Sequence, residues 1–240
     1  MGDTASSPSE LKKGPAGRRP LKSRDWPFFQ WLAGTMADAG VTPNAISVGS
    51  VLVAIIAGGC LAATSFVESD LPRRALWLAG AAGIQLRLIA NLLDGMVAVE
   101  GGKASPVGDL YNEVPDRVSD PAILVGAGFA VGGSPILGLA AALIAVFVAY
   151  VRAIGASVAV GQVFLGPFAK QQRMALMTLT CVACAVLPAN LQPVHRETQL
   201  GIAGAALAII CVGGLLTSVR RLRVIAARMR KRDARQEPAE

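Results

Sequence analysis

The chain has 240 residues, of which 53% are hydrophobic and only 16% are charged. A soluble globular domain carries about a quarter charged residues, so the composition excludes an ordinary soluble enzyme and favours a polytopic membrane protein. The net charge of +7 comes from basic residues clustered near the two ends of the chain. These clusters lack the interleaved aromatic residues typical of nucleic-acid binding, so no nucleic-acid partner is expected.

The N-terminal part of the chain has two distinct segments. Residues 1–23 are rich in Ser, Pro, Gly, Lys and Arg and predict a disordered basic tail. Residues 24–39 contain four aromatic residues between Trp26 and Trp31, which suit an amphipathic helix lying in the headgroup region of a bilayer. The first turn of a membrane span is the alternative interpretation of this segment.

Six apolar runs follow, each near the length that crosses ~30 Å of hydrocarbon. Thr42 and Pro43 mark the start of the first run, as a helix cap and a first-turn proline. The predicted spans cover about 43–66, 74–98, 108–131, 135–160, 172–187 and 199–219. The expected fold is all-α, with six transmembrane helices and the interfacial helix forming one domain at 24–220. A basic cytoplasmic tail is expected at 221–240.

The distribution of Lys and Arg predicts the orientation of these spans. With six spans, 17 basic residues fall on the side that holds both termini and three fall on the other side. Positive charge marks the cytoplasmic side of membrane proteins. Both termini, and the loop between the second and third spans, are therefore expected in the cytoplasm.

A dense acidic stretch surrounds that loop. Six of the chain's 16 acidic residues lie between Asp94 and Asp120. Helical spacing places Asn91, Asp94 and Gly95 on one face of the second span, and Asp109, Asn112, Glu113, Asp116 and Asp120 on one face of the third. Carboxylates at a membrane edge mark a metal site, a proton path or a substrate pocket. Hard oxygen ligands of this kind suit Mg²⁺ or Mn²⁺.

The spacing of this stretch resembles the signature of the CDP-alcohol phosphotransferases, integral membrane enzymes of phospholipid synthesis. The signature positions fall on Asn91, Asp94, Gly95, Ala98, Val99, Gly108, Asn112 and Asp116. Five of these eight residues agree with the family. Asn91 and Asn112 stand where the family has Asp, and Val99 stands where it has Arg.

The resemblance implies a reaction and a set of site residues. A phosphatidyl group would move from a CDP-linked lipid, such as CDP-diacylglycerol, to a small alcohol or alcohol phosphate, with release of CMP. Asp116 would be the general base. The implied ligands of Mg²⁺ or Mn²⁺ are Asn91, Asp94, Asn112, Glu113, Asp116 and Asp120. Gly95, Ala98 and Gly108 would line the cytidine-phosphate pocket.

Basic residues downstream are the candidates for binding the acceptor. Where the acceptor is an alcohol phosphate, the resemblance implies that Arg152, Lys170 and Arg173 receive its phosphate. The alternatives are that Arg152 pairs with Asp116 or Asp120, and that Lys170 and Arg173 only mark the cytoplasmic side.

The departures from the signature leave three alternatives open. Glu113 or Asp120 compensates for the missing carboxylates and two metal ions bind, or one metal ion binds, or the chain is a catalytically inactive relative that binds lipid or nucleotide. A small cation transporter is disfavoured because the carboxylates lie toward one face rather than the bilayer midplane. The resemblance also implies a homodimer in a bacterial cytoplasmic membrane, with the active site at the cytoplasmic face.

Overall fold

The structure is a computed structural model that describes residues 26–100, 108–188, 191–194 and 198–234, without the side chains of Glu100, Asp109 and Asn112. The predicted basic tail at 1–23 lies outside the described residues. The described residues form seven α-helices: α1 (Pro27–Asp38), α2 (Pro43–Ala63), α3 (Asp70–Glu100), α4 (Gly108–Gly128), α5 (Pro135–Ser157), α6 (Lys170–Val186) and α7 (Ile202–Asp233). The all-α class is therefore confirmed, and a helix lies at each of the six predicted spans.

Two of the helix starts are fixed by local hydrogen bonds. The Thr42 hydroxyl accepts a hydrogen bond from the backbone N–H of Ala45 at 3.2 Å, as its predicted role as a cap requires. The Ser134 hydroxyl accepts from the N–H of Leu137 at 3.4 Å, at the start of α5. In both helices a proline follows the cap and supplies a φ already suited to the first turn.

The helices pack around a core of small and aliphatic side chains. α2 packs against α3 and α4, α3 against α6, and α5 against α4 and α7. Backbones approach most closely where α2 crosses α4, because a Cβ at Gly58 would lie against the carbonyl oxygen of Ala122. Small residues at helix crossings are typical of packing in lipid, where close backbone contact supplies much of the association energy.

Large apolar side chains also cover the outside of the bundle. Leu52, Ile56 and Leu143 are more than half exposed, and many similar residues on the helices are exposed with them. By length and composition, four helices in the described residues could cross a membrane: α2 with the short helical turn that follows it, α3, α5 and α7. An apolar exterior of this extent belongs in lipid rather than water, and the chain is an integral membrane protein.

The last helix continues beyond the predicted domain boundary at residue 220. α7 runs without interruption to Asp233. Arg221 is buried, and its guanidinium donates to the carbonyl oxygens of Leu165 and Val148, both at 2.9 Å. Ile225 packs with Val151 in a small apolar cluster. The first part of the predicted tail is therefore helical and holds the segment between α5 and α6.

Adjacent glycines of α2 test the close crossing of α2 and α4. Gly58→Ala should lower the midpoint of thermal unfolding in detergent, because its methyl group would meet the Ala122 backbone; overpacking of this kind costs about 1–3 kcal/mol. Gly59→Ala is the matched control, since a Cβ at Gly59 meets no described atom within 4 Å. Equal midpoints for the two variants would contradict the crossing.

Candidate active site

The polar faces of α3 and α4 lie opposite each other at one end of the bundle, joined by side chains rather than by backbone packing. The buried guanidinium of Arg87 on α3 forms the centre of this contact, with 0% of its side chain exposed. Its Nη2 donates to Asp116 Oδ1 on α4 at 2.7 Å and lies 2.9 Å from Asp120 Oδ1. The contact with Asp120 is an ion pair that lacks hydrogen-bond geometry. Asp120 Oδ1 accordingly has no hydrogen-bond partner among the described residues.

Lys170, the first residue of α6, also binds the predicted base. Its Nζ lies 2.7 Å from both carboxylate oxygens of Asp116 and donates to Asn91 Oδ1 at 3.2 Å. Lys170 precedes the predicted span at 172–187. Asp116 is half-buried, and its two cationic partners are Arg87 and Lys170.

Arg173 and Asp120 form a deeper ion pair next to this contact. Arg173 Nη2 donates to Asp120 Oδ2 at 2.8 Å, and Arg173 Nη1 donates to the Phe168 carbonyl oxygen at 3.2 Å. The side chains of Arg173 and Asp120 are 3% and 2% exposed. Burial at this depth leaves neither group accessible to a ligand without rearrangement.

Asp94 has a different environment from the other carboxylates. It is 5% exposed, and its Oδ2 accepts a hydrogen bond from the Ser47 hydroxyl of α2 at 2.6 Å. Its Oδ1 is buried and has no hydrogen-bond partner among the described residues. A buried carboxylate oxygen without a partner is costly, and a metal ion is one of the groups that would satisfy it.

Glu113 lies at the edge of the site and pairs with two arginines. Arg117, one turn along α4, and Arg152 of α5 both donate to its carboxylate. These residues line a cleft of about 420 Å³ together with Tyr150 and Gln162. Arg152 therefore pairs with an acidic residue, as one alternative anticipated, but the partner is Glu113 rather than Asp116 or Asp120.

The small residues predicted for the nucleotide pocket lie on both helices. Gly95 and Ala98 are half-buried in the last turns of α3, and Gly108 is the first residue of α4. A Cβ at Gly108 would meet no described atom within 4 Å, so the space beside it is open on the described side. The side chains of Asp109 and Asn112 lie outside the described residues, and their predicted roles stay predictions.

These contacts fit one divalent ion better than two. Within the described residues no group of three His, Cys, Asp or Glu side chains could hold a metal ion. Glu113 and Asp120 would each have to leave an arginine to bind one. Among the described carboxylates of the site, Asp94 alone has no basic partner, and its Oδ1 has no hydrogen bond. Asn91 and Asp116 could supplement this oxygen from the same site. Oxygen donors of this kind suit Mg²⁺ or Mn²⁺.

Sequence reasoning missed two contributors to this site. Arg87 lies one helical turn before Asn91 on α3, and its pairing with both Asp116 and Asp120 was not predicted. Ser47, the hydrogen-bond donor to Asp94, gave no sequence signal because it lies 47 residues away on another helix. The sequence signal for the contacts of Arg87 is an arginine within an apolar run, one helical turn before Asn91.

A variant at Arg87 tests whether this residue holds α3 and α4 together. Arg87→Met should lower the free energy of unfolding by about 3 kcal/mol or more, because it leaves Asp116 and Asp120 without a shared guanidinium. Arg117→Gln is the control, since its pair with Glu113 is partly exposed and such pairs contribute about 1 kcal/mol or less. Thermal unfolding in detergent compares them; an equal small loss in both variants would contradict the role of Arg87.

Comparison with known proteins gives one weak match in sequence and a clear similarity in fold. No protein-family model matches the chain. Over 131 residues, 52% of this chain, the sequence is 25% identical to cholinephosphotransferase 1 of Gallus gallus, and this stretch covers 39% of that protein's length. The chain thus spans well under two thirds of the curated relative that it matches.

The fold is similar to that of a solved synthase from Mycobacterium tuberculosis. The crystal structure of its phosphatidylinositol phosphate synthase with CDP-DAG bound aligns with a TM-score of 0.64 and 16% identity, covering 82% of this chain and 92% of that one. The same synthase in complex with manganese and citrate aligns with a TM-score of 0.65 and 16% identity, over 82% of this chain and 88% of that one. The resemblance that the sequence indicated is therefore confirmed: in fold, and weakly in sequence, this chain is similar to proteins of the CDP-alcohol phosphotransferase family.

Proposed function

We propose that this protein is a membrane CDP-alcohol phosphotransferase. It transfers a substituted phosphate group, such as phosphatidyl, from a CDP-linked lipid to a small alcohol or alcohol phosphate and releases CMP. The observation that carries the proposal is the convergence of Arg87 and Lys170 on Asp116, beside Asp94. This arrangement combines a candidate base with the partly exposed ammonium of Lys170, which can attract a diphosphate.

In the proposed mechanism Asp116 is the general base. The acceptor hydroxyl donates its proton to an Asp116 carboxylate oxygen while the acceptor oxygen bonds to the phosphorus beside the lipid. The bond from that phosphorus to the oxygen shared with the cytidine phosphate breaks, and CMP leaves with that oxygen. A divalent ion held by Asp94, with Asn91 and Asp116 shared between the ion and Lys170, would neutralise the diphosphate and stabilise the departing CMP.

The remaining groups position the two substrates. Gly95, Ala98 and Gly108 are proposed to leave room for the cytidine phosphate. For a phosphorylated acceptor, Arg152 is the proposed ligand, because its side chain is 23% exposed and lines the cleft beside Glu113. Arg173 is not proposed as an acceptor ligand, because it is buried, forms an ion pair with Asp120 and donates to the Phe168 carbonyl oxygen.

The membrane arrangement is part of the same proposal. α2 to α7 are proposed to cross the bilayer six times, and α1 to lie at its surface with Trp26, Phe28 and Trp31 exposed. Both termini and the site then face the cytoplasm, as the 17 basic residues on that side favour. The resemblance implies a bacterial cytoplasmic membrane and a homodimer.

The second candidate is an inactive relative that binds a CDP-lipid without turning it over. The observation that favours it is the state of Asp116, whose carboxylate is paired with both Arg87 and Lys170. These pairs engage both of its oxygens, one of which would have to accept the proton of the acceptor hydroxyl. Asn91 and Asn112 also supply less negative charge than the family signature has.

Release of CMP distinguishes the two candidates. Purified full-length protein with Mg²⁺ or Mn²⁺, CDP-diacylglycerol and a panel of polar alcohols and alcohol phosphates should release CMP with at least one acceptor. Asp116→Asn should reduce the rate by two orders of magnitude or more, since general-base catalysis contributes about 10²–10⁴-fold. Asp70→Asn, at the exposed start of α3, is the matched control and should leave the rate unchanged.

Two outcomes would contradict the proposal. Full activity of Asp116→Asn would remove Asp116 as the base. Binding of CDP-diacylglycerol without CMP release under any divalent ion or acceptor would favour the inactive relative.

A further inference from the structure

The ammonium of Lys170 bridges the first and last residues of the motif. Its Nζ contacts Asn91 Oδ1 on α3 at 3.2 Å and the two carboxylate oxygens of Asp116 on α4 at 2.7 Å each. One cation is thus bound by three oxygens from two helices. Oxygen donors of this kind would also suit a divalent metal ion.

Lys170 and Asn91 together change the charge and the oxygen donors available at this position. A divalent ion bound by two aspartates is neutral, and so is an ammonium bound by one aspartate and one asparagine. The Asn91 amide offers the ammonium a neutral oxygen acceptor, whereas a divalent ion at this position would have one carboxylate ligand fewer than with Asp. The presence of Asn91 therefore suits a lysine at this position better than it suits a metal ion.

The surrounding carboxylates leave no second set of metal ligands. In the part of the site that the structure describes, Glu113 pairs with two arginines and Asp120 with two others. Asp94 is the one described carboxylate of the site without a basic partner, and its Oδ1 is buried without a hydrogen bond. One divalent ion at Asp94 therefore satisfies this group, and a second would have to displace Lys170.

We propose that Lys170 permanently takes the place of one of two divalent ions, so that the site binds a single metal ion at Asp94 and the Lys170 ammonium binds the diphosphate of the CDP-linked substrate. This inference rests on the proposed function for the identity of the diphosphate. Lys170 is a compact positive charge with three donors, of the kind that binds phosphate in other proteins. Its side chain is 22% exposed, so a phosphate oxygen can reach it.

The number of metal ions bound per chain tests this directly. Full-length protein in detergent is titrated with Mn²⁺, and bound ions are counted by electron paramagnetic resonance without any substrate turnover. The wild-type chain should bind one Mn²⁺. The double variant Asn91→Asp/Lys170→Gln, which restores a carboxylate and removes the ammonium, should bind two.

A soluble probe tests the phosphate-binding role of the same lysine. In the presence of Mn²⁺, Lys170→Gln should weaken binding of CDP by about tenfold or more, because it removes a charge-assisted hydrogen bond to the diphosphate. Lys231→Gln is the matched control, because Lys231 is exposed near the end of α7 and should alter neither the metal count nor CDP binding.

The proposal is overturned if the wild-type chain binds two Mn²⁺ or none, if the double variant still binds only one, or if Lys170→Gln binds CDP as well as wild type. The wild-type count stands without any variant, so a poorly folded double variant, detected by size-exclusion chromatography, does not remove the test. One Mn²⁺ without CMP release would sink the proposed function and leave this inference standing. Two bound Mn²⁺ together with CMP release would overturn this inference and leave the proposed function standing.

Discussion

The contact between the Arg87 guanidinium and the carboxylates of Asp116 and Asp120 determines the form of the site. Arg87 lies in the interior of the bundle with 0% of its side chain exposed. A charge at that depth is tolerable only when it is paired, so α3 and α4 must present their polar faces to each other. That requirement places Asp94, Asn91 and Asp116 around one space and brings Lys170 of α6 to its edge.

The site that results is richer in positive charge than its acidic sequence suggests. Its described carboxylates, Asp94 apart, each contact two basic side chains. A bound diphosphate would therefore meet protein cations first and need fewer metal ions. In this account, the negative charge missing at Asn91 and Asn112 and the positive charge supplied by Lys170 are related changes. Together they reduce the number of metal ions that the site needs.

Local patterns in the sequence predicted the helices and the spacing of the motif, but not the partners of the motif residues. The apolar run after Thr42 and the run after Pro135 carry their own start signals, so α2 and α5 follow from local rules. The ion pairs depend on how the helices pack, because their partners are far apart in sequence. Arg87 and Asp116 are 29 positions apart, and Arg173 and Asp120 are 53 positions apart. The sequence predicts a basic tail after residue 220, and the structure continues α7 there because apolar positions such as Ile225 lie between the basic residues.

The central claim is that Lys170, and not a metal ion, occupies the position between Asn91 and Asp116. The most direct measurement is a crystal structure of the protein with Mn²⁺ and CDP-diacylglycerol, with manganese located by its anomalous scattering. We expect one manganese peak, beside Asp94, and Lys170 Nζ in contact with both Asp116 and a diphosphate oxygen. Two manganese peaks, with Lys170 turned away from Asp116, would contradict the account.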